Sequence, residues 1–177
     1  FSNRTTGRAL MPDDPVRIAS ISKLFLALAV MRLTEKDQLL ALDQDVSYYL
    51  GWTLRNPAYP DIPVTLRMLL SHQAGLRDGI NYALPMDALL EDKLRDPIAW
   101  DTDHKPGEYF TYANLNSPVI AAVMEAATGN RFDQIMQDEV FNPLAIDACF
   151  NWINCSDEKI AGAVTLYRPN GVVARDD

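Results

Sequence analysis

Ser20-Ile21-Ser22-Lys23-Leu24-Phe25-Leu26-Ala27-Leu28-Ala29-Val30-Met31-Arg32-Leu33 is the stretch whose reading decides the fold. Apart from Ser20, Ser22, Lys23 and Arg32, every residue in it is apolar, and it holds neither proline nor glycine. Apolar residues on nearly every face predict a buried helix at the centre of the molecule, over residues 20–36, rather than an amphipathic surface helix. Charged Glu35, Lys36 and Asp37 mark its exit. At its entry, Ser20 and Lys23 are three residues apart, so they share a helix face with Cβ atoms about 5–6 Å apart. A serine hydroxyl is a weak nucleophile until a neighbour accepts its proton, and the Lys23 amine is within reach to do so. The positive field of the helix start favours an alkoxide there and the oxyanion that follows. Taken alone, S-x-x-K is built from common residues and recurs by chance.

A second stretch strengthens the reading. Pro106-Gly107-Glu108-Tyr109-Phe110-Thr111-Tyr112-Ala113-Asn114 is a turn, then an aromatic segment, then Tyr112-x-Asn114 ahead of a helix. A phenol beside an ammonium can act as general base, because the cation stabilises the phenolate. An Asn two residues on can donate to a substrate carbonyl and hold the lysine. By itself this stretch reads better as an aromatic core strand closed by an Asn turn.

The rest of the chain predicts helical pieces joined by Pro-rich turns. Thr65 is a good N-cap for a helix through Leu66, Met68, Leu69 and Leu70 that ends at Gly75. Pro85 starts another through Leu89, Leu90 and Leu94, stopped before Pro97. Ser117-Pro118 starts a third, with Gly129 as its C-cap, and a fourth runs from Phe132 to Val140 and ends before Pro143. A loop or short strand with a turn at 11–15 opens the chain. Only Gly162 to Arg175 alternates like a hairpin, about a Pro169-Asn170-Gly171 turn. Four or five helices with two or three weak strands leave few partners to cover helix 20–36.

Composition narrows the function classes. The 177 residues carry a net charge of −8 and are 48% apolar, which excludes disorder and collagen. The acidic balance argues against a partner tracked along its phosphates, so no nucleic acid is expected. No apolar run approaches the roughly 18 residues of a membrane span. With two histidines and two cysteines, no zinc spacing exists, and neither metal nor cofactor is expected. Asp43, Asp45 and Ser47 begin like a calcium loop, but Tyr48 stands where the turn needs Gly and Leu54 where the bidentate Glu belongs. Cys149 and Cys155 either close a small disulfide loop in an exported protein or are two unpaired buried residues. His72 admits a Ser-His-Asp triad with Ser71 or Ser20, but no G-x-S-x-G elbow exists, and a capping or loop-bracing role fits better. His104, among Asp101, Asp103 and Lys105, reads as a solvated loop residue, and Trp52, Trp100 and Trp152 as packing.

Taken together, the motifs resemble the serine β-lactamase and penicillin-binding-protein superfamily, in particular its class C β-lactamase-like branch. Arg17 to Lys23 is similar to the family's nucleophile segment, and Pro106-Gly107 to Asn114 to its second motif. Thr65 to Leu76 is similar to the helix and turn ahead of the active-site rim, and Phe141-Asn142-Pro143-Leu144 to the end of the helical region. The resemblance covers most of residues 16–147. It implies an α+β fold of the β-lactamase/transpeptidase type, an antiparallel sheet flanked by helices plus a helical lobe, with the sheet incomplete in this chain. Residues 1–36 would begin the α/β domain, 37–147 form the helical lobe, and 148–177 return toward the sheet.

The resemblance also implies roles. Ser20 would be the acylated nucleophile and Lys23 its proton-accepting partner. Tyr112 would be the general base that later protonates the leaving group, and Asn114 would bind the substrate's amide carbonyl. The implied activity is a serine hydrolase working through an acyl-enzyme on a small-molecule or peptide substrate, as a β-lactamase or D-amino-acid peptidase. A carboxylesterase of the same fold and a non-catalytic scaffold are the alternatives. Asn114 leans toward amide substrates. The family's third motif, a Lys/His-Thr/Ser/x-Gly triplet, has no counterpart after Asn114. With the Phe1 start, this predicts further sequence beyond Asp177 that holds the remaining strands and that motif. The expected location is periplasmic or secreted.

Overall fold

The computed structural model describes residues 3–4, 6–36, 38–83 and 88–174. Helix α1, Ser22–Glu35, rises from a 3-10 turn at Ala19–Ile21. The turn replaces the first α-helical residues expected from Ser20. Ala19, the first residue of the turn, sits at φ 46°, a left-handed value that costs a residue with a Cβ about 1–3 kcal/mol. Leu26, Ala29, Val30 and Leu33 form the buried stripe of α1 at i, i+3, i+4 and i+7. The expectation of burial on all sides does not hold. Ile21, Leu24, Leu28 and Met31, at i, i+3, i+7 and i+10, lie on the other face and are 40–61% exposed; no strand among the described residues lies over them.

α2 (Ser47–Leu50) stops at Gly51, which takes φ 75°. α3, Leu66–Leu70, begins where expected, with the Thr65 hydroxyl accepting from the Met68 N–H. It ends five residues before Gly75. His72, not glycine, takes the left-handed φ of 56°. The Gln73 N–H then bonds to the Met68 carbonyl at 2.7 Å, and the His72 N–H to Leu69 at 3.2 Å, the paired 6→1 and 5→2 bonds of a Schellman stop. α4 covers Leu90–Leu94, ahead of a 3-10 turn at Pro97–Ala99; the start expected at Pro85 lies outside the described residues. α5 runs Asn116–Thr128 to a Gly129 C-cap at φ 72°. α6, Phe132–Met136, continues as a π-turn through Gln137–Phe141, which together match the expected fourth helix. α7, Asp157–Gly162, was not expected. Its signal is Ser156 as N-cap followed by Asp157 and Glu158, two acids at a helix start.

One apolar core joins α1, α3, α5 and α6 around Leu33, Leu66, Leu69, Val119, Val123, Met124 and Met136. Each such side chain contributes about 1.5–3 kcal/mol when fully buried. Trp100 sits in this core, its indole N–H donating to the Leu94 carbonyl at 2.8 Å. Among the described residues the expected sheet exists only as four isolated antiparallel bridges: Asn3 with Arg8, Asp45 with Thr65, Leu76 with Trp100, and Tyr167 with Val173. The last lies in the expected tail hairpin, with Gly171 at φ 79° in its turn. The two ends of the chain meet there: the Val164 N–H donates to the Pro15 carbonyl, and the Arg4 N–H to the Tyr167 hydroxyl. Cys149 and Cys155 are joined by a disulfide. The acids of the discarded calcium loop instead pair with cations, Asp43 with Arg67 and Asp45 with Arg55.

Candidate active site

The four residues singled out in the sequence come from two places and meet in space. Ser20 stands in the 3-10 turn and Lys23 in the first turn of α1. Tyr112 and Asn114 stand in the segment that leads into α5. The Ser20 hydroxyl lies 2.8 Å from the Tyr112 hydroxyl. The Lys23 ammonium donates to Ser20 Oγ at 3.3 Å and to Asn114 Oδ1 at 2.9 Å, and sits 5.1 Å from the centre of the Tyr112 ring. The hydrogen bond from Lys23, then that with Ser20, holds the Tyr112 phenol below its ordinary range. A phenol so placed gives up its proton more readily and can take one from the neighbouring serine.

The second motif is held by a brace. The Gly107 N–H donates to the Gln73 carbonyl at 2.8 Å, and the segment after Gln73 is tied in turn to 99–101: Asp101 N–H donates to the Gly75 carbonyl and Arg77 N–H to Ala99, both at 2.8 Å. His72 lies beneath Tyr112, ring on ring, with centroids 4.5 Å apart. Its Nδ1 accepts from the Ala113 N–H at 3.3 Å, and its carbonyl from the Thr111 N–H at 2.9 Å. Burial, followed by the nearby Lys23 charge, keeps the His72 ring below its ordinary pKa and so neutral, which leaves Nδ1 free to accept. This is a loop-bracing role. The Ser71 hydroxyl contacts Arg67, Met68 and Gln73, so no triad forms through it.

Asp78 went unnoticed in the sequence. Its carboxylate accepts from the Asn114 N–H at 3.0 Å, the Asn114 side-chain amide at 2.8 Å and the Leu115 N–H at 3.0 Å. The only local signal is the turn-forming Asp78-Gly79 pair, which says nothing about a partner 36 residues away. A cleft of about 430 Å³ opens beside it, lined by Arg77, Asp78, Gly79, Ile98, Trp100 and Thr111. His104, by contrast, pairs with Asp101 and stacks on Tyr109 away from these groups.

The family model described as Beta-lactamase matches residues 1–175. The chain belongs to the beta-lactamase family. It is 30% identical over 191 aligned residues to "Esterase EstB" of Burkholderia gladioli, covering 99% of this chain and 48% of that protein. The solved structure "EstCE1, a hydrolase with promiscuous acyltransferase activity" superposes with a TM-score of 0.76 at 27% identity, over 98% of this chain and 48% of that one. A class C beta lactamase from Rhodobacter sphaeroides superposes with a TM-score of 0.70 at 23% identity, over 98% of this chain and 47% of that one, a likeness of fold. The chain therefore spans about half the length of each of these proteins.

Proposed function

We propose that this beta-lactamase-family chain carries the acylation centre of a serine hydrolase and that its substrate is a carboxylic ester. The carrying observation is the Ser20 hydroxyl set between the Tyr112 hydroxyl at 2.8 Å and the Lys23 ammonium at 3.3 Å. In the reaction, Tyr112 as phenolate takes the Ser20 proton while Oγ forms a bond to the ester carbonyl carbon. The tetrahedral adduct collapses, the C–O bond to the alcohol breaks, and Tyr112 returns its proton to the leaving alcohol. Water then enters by the same route and releases the acid. Lys23 stabilises the phenolate and the developing alkoxide, as a fixed charge does without reorganising. Asn114 holds Lys23 through Oδ1 and offers its amide to the substrate.

The ester class is supported by the 30% identity to a protein named an esterase. A second reading, a β-lactam or D-amino-acid amide, is favoured by Asn114, whose amide suits an amide carbonyl. Export to the periplasm or medium is supported by the Cys149–Cys155 disulfide, since such bonds persist in oxidising compartments. The test is direct. The protein is incubated with a fluorophosphonate, a p-nitrophenyl ester and a fluorescent penicillin, and Ser20 is examined by mass spectrometry. A Ser20 adduct with ester turnover supports the first reading, and penicillin hydrolysis or a penicilloyl adduct on Ser20, without ester turnover, the second. No adduct with any reagent points to a non-catalytic scaffold.

A further inference from the structure

Asp78 does more than hold a turn. A carboxylate only accepts hydrogen bonds, so of the two ends of the Asn114 amide only Nδ2 can face it. With Nδ2 at 2.8 Å from Asp78, Oδ1 is turned to the Lys23 ammonium at 2.9 Å. The backbone N–H groups of Asn114 and Leu115 would satisfy a simple cap; the bond to the Asn114 side chain is additional and sets which way that amide points.

We propose that Asp78 is a positioning residue: by fixing the Asn114 amide it presents Oδ1 to Lys23, and so keeps the ammonium beside Ser20 and Tyr112. The inference rests on reading those three residues as the acylation centre, but its first test needs no activity.

That test is Asp78→Leu, which is close in size and carries no acceptor. Nothing then holds Nδ2 of the Asn114 amide, so Oδ1 is no longer fixed on the Lys23 ammonium. Lys23 leaves its place and Tyr112 loses the cation. The Tyr112 phenol is faced by Lys23 from α1, by Ser20 from the 3-10 turn, by neutral His72 from the turn after α3, and by Asp78 from its loop. Deleting the Asp78 charge alone would make the phenol ionise more easily, because that carboxylate opposes the phenolate. Loss of Lys23 makes it ionise less easily. The two mechanisms thus have opposite signs.

The experiment follows the Tyr112 ζ-carbon by NMR in the full chain, with the signal assigned by Tyr112→Phe. An upward shift of the titration in Asp78→Leu supports the proposal; a downward shift or none overturns it. In ester turnover, Asp78→Leu is expected to lower kcat by up to about 100-fold, as misplacement of a group by about 1 Å can, with KM little changed. In an Asn114→Ala background it should cost nothing more, and an equal loss in both backgrounds overturns the proposal. Should Asp78→Leu not fold, the unaltered protein answers: one Asn114 side-chain N–H should exchange slowly with solvent, and fast exchange of both overturns the proposal. A wild-type protein that no reagent labels removes the hydrolase reading and leaves the titration result standing.

Discussion

The Tyr112 hydroxyl lies 2.8 Å from the Ser20 hydroxyl across 92 residues of sequence. Neither side chain is buried, so the pair is open to a substrate. What holds it is Lys23 on one side and the His72 ring beneath.

Ser20→Ala should abolish covalent labelling by the fluorophosphonate and lower kcat/KM about 10⁴-fold or more, as loss of a nucleophile does. Ser20 is exposed and makes no core contact, so the melting temperature should not move. A labelled Ser20→Ala protein would place the nucleophile elsewhere.

Tyr112 predicts a pH limb. Its phenol is held below its ordinary range by Lys23 and then Ser20, so its anion forms at lower pH than in a free tyrosine. Acylation should rise with pH through that lowered value and then level off. Tyr112→Phe should lose the limb and about 10²- to 10⁴-fold in rate, the span of general base catalysis. Single-turnover acylation against pH, in both proteins, checks it.

His72 predicts a stability limb of its own. Burial, then the Lys23 charge, lowers the folded ring's pKa below the ordinary 6.5. As pH falls from about 6.5, the unfolded chain binds the proton first, so stability drops until the folded ring is protonated too. Above 6.5 this contribution is fully present. His72→Asn keeps a residue that tolerates the left-handed φ and should flatten the dependence. Thermal melts between pH 5 and 7.5 compare the two.

Gly79→Ala should damage the site from a distance. A Cβ there would overlap the Ile98 carbonyl, a backbone atom with no freedom to turn aside. The loop must shift, at a cost of about 1–3 kcal/mol by analogy with overpacking, and Asp78 shifts with it. A lowered melting point together with slower Ser20 labelling is expected; unchanged labelling would show that Asp78 keeps its place.

Reduction of Cys149–Cys155, or Cys149→Ser, should lower stability by roughly 2 kcal/mol, the loop-entropy value for so short a ring. The bond spans a separation of 6 residues, and neither cysteine contacts the four site residues. Ser20 labelling should be unchanged, which a labelling assay with and without reductant measures.

Local rules were enough for much of this protein. The S-x-x-K spacing places Ser20 and Lys23 together because residues three apart share a helix face. The Thr65 cap, the Gly129 stop and the helix from Phe132 follow from side chains acting on the backbone within one turn. Local rules failed where a residue did another's work. His72 ends α3 in a conformation usually left to glycine, so the stop moved from Gly75. The expected burial of α1 failed on one face, since burial depends on what packs against a helix as well as on its own composition.

What the sequence by itself determined is therefore which side chains are candidates for the site and most of the local structure that carries each motif. Only the tertiary structure decided that Tyr112 comes within hydrogen-bond distance of Ser20, that His72 supports it, and that Asp78 orients Asn114. Those pairings join residues 36 to 92 positions apart. Nothing in a residue's own neighbours specifies so distant a partner. The packing of α1, α3 and α5 on one core sets the separations, and hydrogen-bond directionality then selects which groups face each other.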